Sequence, residues 1–243
     1  MISLTYDFHI HSCLSPCGDD DMTPGNIVGM ASILGLDAIA LTDHNSCRNC
    51  AAAIFHGENY GVIVIPGMEL CTAEEVHVIC LFPTLAAALA FDEYVYARLL
   101  PIQNREDIFG KQLILDQEDK VVSSVENLLI NATDISFDDC FSLVSSFQGV
   151  AFPSHIDKSS NSLLANLGFI PPDSSFTCAE VYNTSTLEQL KREHPYLNQC
   201  QVIHNSDAHY LSDLREVNGE LQAKSKNISD ILSALGKQGS SFP

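Results

Sequence analysis

Near the start of the chain, the stretch DFHIHSCLSPCGDDDMTP from Asp7 places two histidines one residue apart and follows them with three consecutive aspartates. Residues i and i+2 of a strand share a face, so His9 and His11 can turn both imidazoles toward one ion. Alone, the pair also fits two structural histidines. Residues of the same kind elsewhere change the balance. His44 follows an apolar run in LTDHN and Glu69 follows one in IPGMEL. His77 lies in EVHVICLF, His155 ends AFPSH, and Asp207 and His209 end IHNSDAH. Nearly every His, Asp or Glu that interrupts an apolar run does so at or near its C-terminal end, where parallel α/β barrels hold their active sites.

Imidazole and carboxylate together, without a coherent set of thiolates, suit zinc, iron or manganese. A carboxylate such as Glu69 can bridge two ions. Burying this many ionisable groups without metal carries a large desolvation cost, so the set reads as a multinuclear metal site. Cys13-x3-Cys17 and Cys47-x2-Cys50 could form a separate four-thiolate zinc site, with free thiols the simpler reading. Asp43 beside His44 reads as a group that orients an imidazole or the backbone. His204 reads as a core histidine, and His56 and His194 as exposed ones.

The elements that must position these residues are short apolar segments rich in Val and Ile, with helical stretches between them. They are LTYDFHIH from Leu4, DAIALTDH from Asp37, GVIVIPGMEL from Gly61, EVHVICLF from Glu75, GVAFPSHID from Gly149, CAEVYN from Cys178 and QVIHNSDAH from Gln201. A helix is expected after Thr23 as N-cap, with Pro24 at its first position and Gly35 closing it. A second should start at Ser136, with Asp138 and Asp139 at its positive end, and stop near Gly149. Others are expected over residues 84–99, 186–193 and 229–237. The alternation predicts parallel pairing with right-handed crossovers, as in a barrel or a doubly wound sheet. From Pro101 to Thr133 it pauses, and GKQLILDQEDKVVSS reads as a hairpin turning around Gln117 to Asp119. Residues 1–243 are therefore read as one domain, with 101–133 an insertion covering one end of the barrel.

Of the 243 residues 46% are hydrophobic, enough for one well-buried core. Only 12 are Lys or Arg against 31 acidic, giving a formal charge of −19. Such a surface should repel a nucleic-acid backbone, because non-specific binding there depends on Lys and Arg displacing counterions. No long nucleic acid is expected as a partner; a small phosphate ester is, if bound cations reverse the local field. No run of about 18 apolar residues predicts a membrane span, and MISLTYDFHI lacks the regions of a secretory signal. Nine cysteines without a disulfide-like pattern imply reduced thiols and a cytoplasmic location.

The motifs DFHIHS, DAIALTDHNS, PGMEL, EVHVIC, AFPSHIDK and NSDAHYLSDL, in this order from Tyr6 to Leu214, resemble the PHP domain, named for polymerase and histidinol phosphatase. The resemblance implies a distorted (β/α)7 TIM-like barrel with three divalent ions, zinc, manganese or iron, at the strand C-termini. His9, His11, Glu69 and Asp207 would hold the first ion. Glu69 would bridge to a second, held by His77 and His155. His44 and His209 would hold the third with a residue of the first loop. Counting back from Pro24 selects Asp19 for that role, with Asp20 or Asp21 as alternatives. The chemistry implied is attack of a metal-activated hydroxide on phosphorus, with Asp207 or a bound water protonating the leaving group. Lys158, in SHIDKSS, stands where related phosphoesterases often carry a basic residue, and is a candidate phosphate anchor beside the reading of an ordinary solvated lysine. The expected activity is that of a metal-dependent phosphoesterase on a small phosphomonoester or nucleotide. A metal-dependent hydrolase of a non-phosphate bond and a non-catalytic interaction domain are the alternatives.

Overall fold

A computed structural model describes residues 1–214 and 219–236. Strands β1 (Ile2–Ile10), β2 (Ala38–Leu41) and β3 (Ile63–Cys71) are parallel neighbours, joined through helices α1 (Pro24–Ile33) and α2 (Cys50–Tyr60). After β3 the pairing reverses. β4 (His77–Leu81) lies antiparallel to β3, with Cys71 opposite His77. The five residues between them form a turn closed by the Thr72 amide on Val76 O at 3.0 Å, far too short for a parallel crossover.

Helix α3 (Leu85–Tyr96), the short α4 (Glu106–Phe109), and the hairpin β5 (Leu113–Leu115) and β6 (Val121–Ser124) follow. Next come α5 (Phe137–Ser146), β7 (Val150–Pro153), α6 (Leu163–Asn166), β8 (Cys178–Glu180), α7 (Leu187–Glu193), β9 (Gln201–Ile203), β10 (Glu220–Ala223) and α8 (Ile228–Leu235). The main sheet runs β10-β1-β2-β3-β4-β7, with β4, β7 and β10 in antiparallel pairings. β8 and β9 are a separate parallel pair that bridges its two sides. The Ile156 amide, just past β7, donates to Glu180 O at 2.9 Å, and the His11 amide to Ala208 O at 3.0 Å. The Phe8 amide donates to Asn205 Oδ1 at 2.8 Å. The α/β class is as expected; the sheet itself is curled and mixed, not a uniform parallel set of seven βα units. None of the described helices is long and apolar enough to cross a membrane.

One core lies between the sheet and α1, α2, α3 and α5. The other gathers Leu4, Tyr6, Phe8, Ala38, Ala40, Ile65 and Ile79 with residues of α8. On β1 simple alternation would send Ile10 to the same side as Phe8, yet Ile10 belongs to the helix-side core. The register against β2 shifts between Asp7 and Ile10. Such an irregularity reverses which residues face which side beyond it.

Thr23 caps α1 through its hydroxyl, as expected, and Gly35 ends that helix in the left-handed conformation at φ 71°; Thr84 and Ser136 cap α3 and α5 in the same way. The helix expected over 229–237 begins one residue earlier at Ile228; residue 237 lies outside the described residues. Helix α2 was not expected from the sequence. Its cap residue, Asn49, makes no capping bond. Its amide instead donates to Ser12 Oγ and Leu113 O, and its oxygen accepts from the Leu115 amide. Asn49 ties the β5–β6 hairpin to the loops after β1 and β2, while Gly61 closes the helix in the left-handed conformation at φ 73°.

The hairpin turns at residues 116–119, where Asp116 Oδ1 accepts from the amides of Glu118 and Lys120. Asp119 then lays its carboxylate on the start of α1, accepting from Thr23 Oγ1 at 2.7 Å and the Gly25 amide at 3.1 Å. A carboxylate there meets the positive end of the helix dipole. Asp119→Ala is expected to lower stability by about 1 kcal/mol, as for loss of a helix cap. A fall in the urea midpoint with an unchanged slope checks it.

Candidate metal centre

Glu69, near the end of β3 and 1% exposed, is the hub of the site. Its Oε1 lies 3.2 Å from His9 Nε2, 3.0 Å from His77 Nδ1 and 3.2 Å from His155 Nε2. Its Oε2 lies 3.3 Å from His11 Nε2 and 3.0 Å from His44 Nδ1. Asp207 Oδ1 reaches both His9 Nε2, at 3.2 Å, and His11 Nε2, at 3.3 Å. The ring of His209 stacks on His11 with centroids 4.3 Å apart. His77 opens β4 rather than ending a strand, and reaches the same rim because β4 runs antiparallel. Within 4.8 Å, donor atoms gather as His9–His11–Glu69, His9–His155–Asp207, His44–Glu69–His77 and His11–His44–His209.

The surrounding hydrogen bonds dictate where the protons sit. His9 Nδ1 lies 3.0 Å from Glu180 Oε2, an acceptor, so Nδ1 carries the hydrogen. His11 Nδ1 lies 2.9 Å from Ser15 Oγ. That hydroxyl gives its own proton to Asp43 Oδ1 at 2.7 Å, so it accepts from the imidazole. Each neutral ring then presents a lone pair at Nε2, and the two Nε2 atoms are 3.1 Å apart. Two lone pairs and two carboxylates aimed at one small volume repel unless protons or a cation lie between them. His77 Nε2 and His155 Nδ1 are buried without a hydrogen-bond partner, and His44 Nδ1 meets Glu69 outside hydrogen-bonding geometry. His155 and Asp207 adopt φ of 29° and 53°, a conformation that costs a non-glycine residue about 1 kcal/mol or more and is concentrated at functional sites. Donor types, converging lone pairs and orphaned nitrogens all fit cations held by imidazole and carboxylate.

Without ions, protons serve in their place. Burial opposes the charged form of His77, but Glu69 beside it outweighs this and raises its pKa to about 10. Burial lowers His44 to about 3 and His209 to about 4. Because its folded pKa is raised, His77 stabilises the metal-free protein fully below about pH 6.5, and that contribution is lost as the pH climbs toward 10. An ion must displace the same proton. Against burial, Asp207 and Glu69 raise His9 and His11 as well, so metal binding at pH 7 to 9 is expected to release at least one proton, with affinity rising at least about tenfold per pH unit. Binding enthalpies in buffers of different ionisation heat check this.

The structure brings together His9, His11, His44, Glu69, His77, His155, Asp207 and His209, but not every expected group. The Asp19 carboxylate accepts from the Asp21 amide at 2.9 Å and belongs to none of the donor groups; only its backbone amide meets the site, on His209 O. Asp20 and Asp21 are exposed. Cys13, Cys17, Cys47 and Cys50 are free thiols and form no donor group among the described residues. Lys158 is not a freely solvated lysine: its Nζ is in contact with Asp207 Oδ2. Burial would raise the Asp207 carboxyl, but His9 and His11 pull it far below the usual range.

Sequence reasoning missed Glu180 and Ser15. Glu180 interrupts the apolar run CAEVYN at the end of β8, the same signal that marked Glu69. Asp43, read as an orienting group, accepts from the Ser12 amide, Ser12 Oγ and Ser15 Oγ. His204 meets Val181 O at 2.9 Å, as a satisfied structural histidine would.

Among solved structures, the lesion-specific endonuclease Q of Pyrococcus furiosus superposes with a TM-score of 0.70 at 17% identity, over 97% of this chain and 56% of that one. Endonuclease Q in complex with a 27-mer duplex, an abasic lesion at its active site, gives 0.67 at 17% identity, over 96% and 56%. A Bifidobacterium adolescentis protein assigned as a metal-dependent phosphoesterase gives 0.60 at 18% identity, over 94% and 96%. This chain thus spans little more than half the length of endonuclease Q. No curated protein matches the sequence. The duplex complex overturns the expectation of no long nucleic acid as a partner, because endonuclease Q, a protein that shares this fold, binds one. A whole-chain charge of −19 governs non-specific adhesion; at one rim, bound ions set the sign of the field. The model of the PHP domain matches residues 7–233, and this chain belongs to the PHP domain family.

Proposed function

We propose that this PHP site hydrolyses a phosphate ester with two or three divalent cations. The observation that carries the reading is the meeting of His9 and His11 Nε2 at 3.1 Å between the carboxylates of Glu69 and Asp207. His9, His11, Glu69 and Asp207 would hold one ion, and His77 and His155 a second shared with Glu69. His44 and His209 would take a third with a group from the first loop; zinc, manganese and iron all suit these donors. Bound cations supply Lewis acidity toward a phosphoryl oxygen and an activated water.

The protein's own groups do the rest. Glu180 and the Asp43–Ser15 pair lock the first two imidazoles with their lone pairs inward. Lys158, beside Asp207, offers a positive charge to a phosphoryl oxygen. Lys158→Ala is expected to raise KM for a phosphate ester about tenfold, the scale of one charge-assisted hydrogen bond. Metal content should stay unchanged, and parallel kinetics and metal analysis check both.

The reading is tested by reconstituting the stripped protein with manganese or zinc. Metal content and turnover of phosphomonoesters, phosphodiesters, oligonucleotides, amides and lactones are then measured. Two or more equivalents of metal with phosphate-ester turnover support it. Cleavage of an amide or lactone alone would replace it with the non-phosphate reading. Less than one equivalent bound would favour an interaction domain.

A further inference from the structure

Beside the metal centre the surface sinks into a cavity of about 590 Å³, within the size range of small-molecule sites. Lys158, which touches Asp207, lines it together with Tyr182, Asn183, Thr186 and Gln189. Tyr182 leaves 56% of its surface exposed there. The backbone presenting it is held firmly. The Tyr182 and Asn183 amides both donate to the Asp157 carboxylate, at 2.6 and 2.9 Å. The Val181 amide is fixed on Ile203 O at 3.0 Å. The ring is also placed in register with the chemistry. Lys158 Nζ lies over one face of the ring, 5.0 Å from its centroid, while touching Asp207, which leaves the other face for a ligand. Tyr182 and Asn183 border a second hollow of about 270 Å³ as well, so the residue stands as a partition between two spaces.

We infer that Tyr182 is a specificity-determining residue: its ring is the platform for a flat, ring-bearing leaving group of the phosphate ester. This rests on the phosphoesterase reading above and names the substrate class for that site. A phosphoryl group at the cations and a planar ring on Tyr182 would be separated by roughly the length of a sugar. The hydroxyl and amide side chains of Thr186, Asn183 and Gln189 supply donors and acceptors for the ring's polar edge. An aliphatic ester would leave the platform empty. A free nucleotide and an unpaired nucleotide in a strand share the required chemistry.

The test uses the metal-reconstituted full chain with AMP, a short single-stranded oligonucleotide and glycerol phosphate as probes. Wild type, Tyr182→Ala and Tyr182→Phe are compared. Adenosine, which has no phosphate to lose, is followed by equilibrium dialysis. Stacking on one aromatic ring is expected to be worth at least about fivefold. Tyr182→Ala should lower the ratio of kcat/KM for AMP to that for glycerol phosphate by that factor and weaken adenosine binding equally, and Tyr182→Phe should restore both. A larger effect on AMP assigns the site to free nucleotides, and a larger effect on the oligonucleotide to strands. An unchanged ratio with unchanged adenosine binding overturns the inference, as does undetectable adenosine binding to wild type. If no phosphate ester is turned over but adenosine binding still depends on Tyr182, the phosphoesterase reading fails while the platform stands.

Discussion

Glu69→Gln should leave a folded protein that binds substoichiometric metal and turns over a phosphate ester a hundred to a thousandfold more slowly, a loss of the size seen when one charge-stabilising group is removed from a preorganised site. The substitution keeps the shape of a side chain that is 1% exposed, so packing is not what changes. Charge is. Five imidazoles lie within 3.3 Å of its two oxygens, and an amide can answer them with only one acceptor oxygen. Burial would raise the Glu69 carboxyl, yet His77, His9 and His44 hold it well below its ordinary range, so an anion is what the site is built around. Because that pKa is depressed, Glu69 adds stability above the ordinary carboxylate range and loses it as the pH falls. Metal analysis alongside circular dichroism separates the outcomes. Normal metal content with normal turnover in Glu69→Gln would remove Glu69 from the centre of the site.

The ligand-type residues were legible because they punctuate apolar runs, and a group that breaks a buried strand needs a reason. Their convergence depends on features the pattern does not show. His77 is an example: in sequence it sits inside an apolar run, and it meets Glu69 only because β4 turns back on β3 through a short loop. Reading all alternation as parallel gave the right rim through the wrong pairing. The register shift on β1 is another. It decides that Ile10 joins the helix side, and no residue type announces it. Asp19 stands apart from the donor groups for a local reason, since its carboxylate accepts from the amide two residues on. Helix α2 was readable from Asn49 before it and Gly61 after it and was passed over, and only the bonding of Asn49 to the β5–β6 hairpin lay beyond the sequence. What stayed unreadable was long-range hydrogen bonding, the kind of contact that links residues by fold rather than by spacing.

Glu180 takes part in such bonding, although its place at the end of an apolar run carries the same signal as Glu69, and its removal is the second large effect expected. It is 1% exposed and accepts from His9 Nδ1, while Asn205 Nδ2 donates to the same oxygen at 3.2 Å. Asn205 in turn holds β1 through the Phe8 amide, so one carboxylate orients a ligand and braces the strand that carries it. Without an acceptor at Nδ1, the His9 ring can place its hydrogen on Nε2 and point N–H, not a lone pair, at the ion. Partners of this kind cost ten- to a hundredfold in metal affinity when removed. Glu180→Ala should reach the upper end, because it also strands two buried donors. Glu180→Gln, whose amide oxygen still accepts from one of them, should stay near the lower end. Competition with a chromophoric chelator measures both affinities, and thermal melts of the metal-free proteins show how much of any loss is folding. The order is the decisive part. If the two variants bind metal equally well and as tightly as wild type, Glu180 only fills space, and the orientation of His9 must come from packing of its ring against His11 and His155 instead.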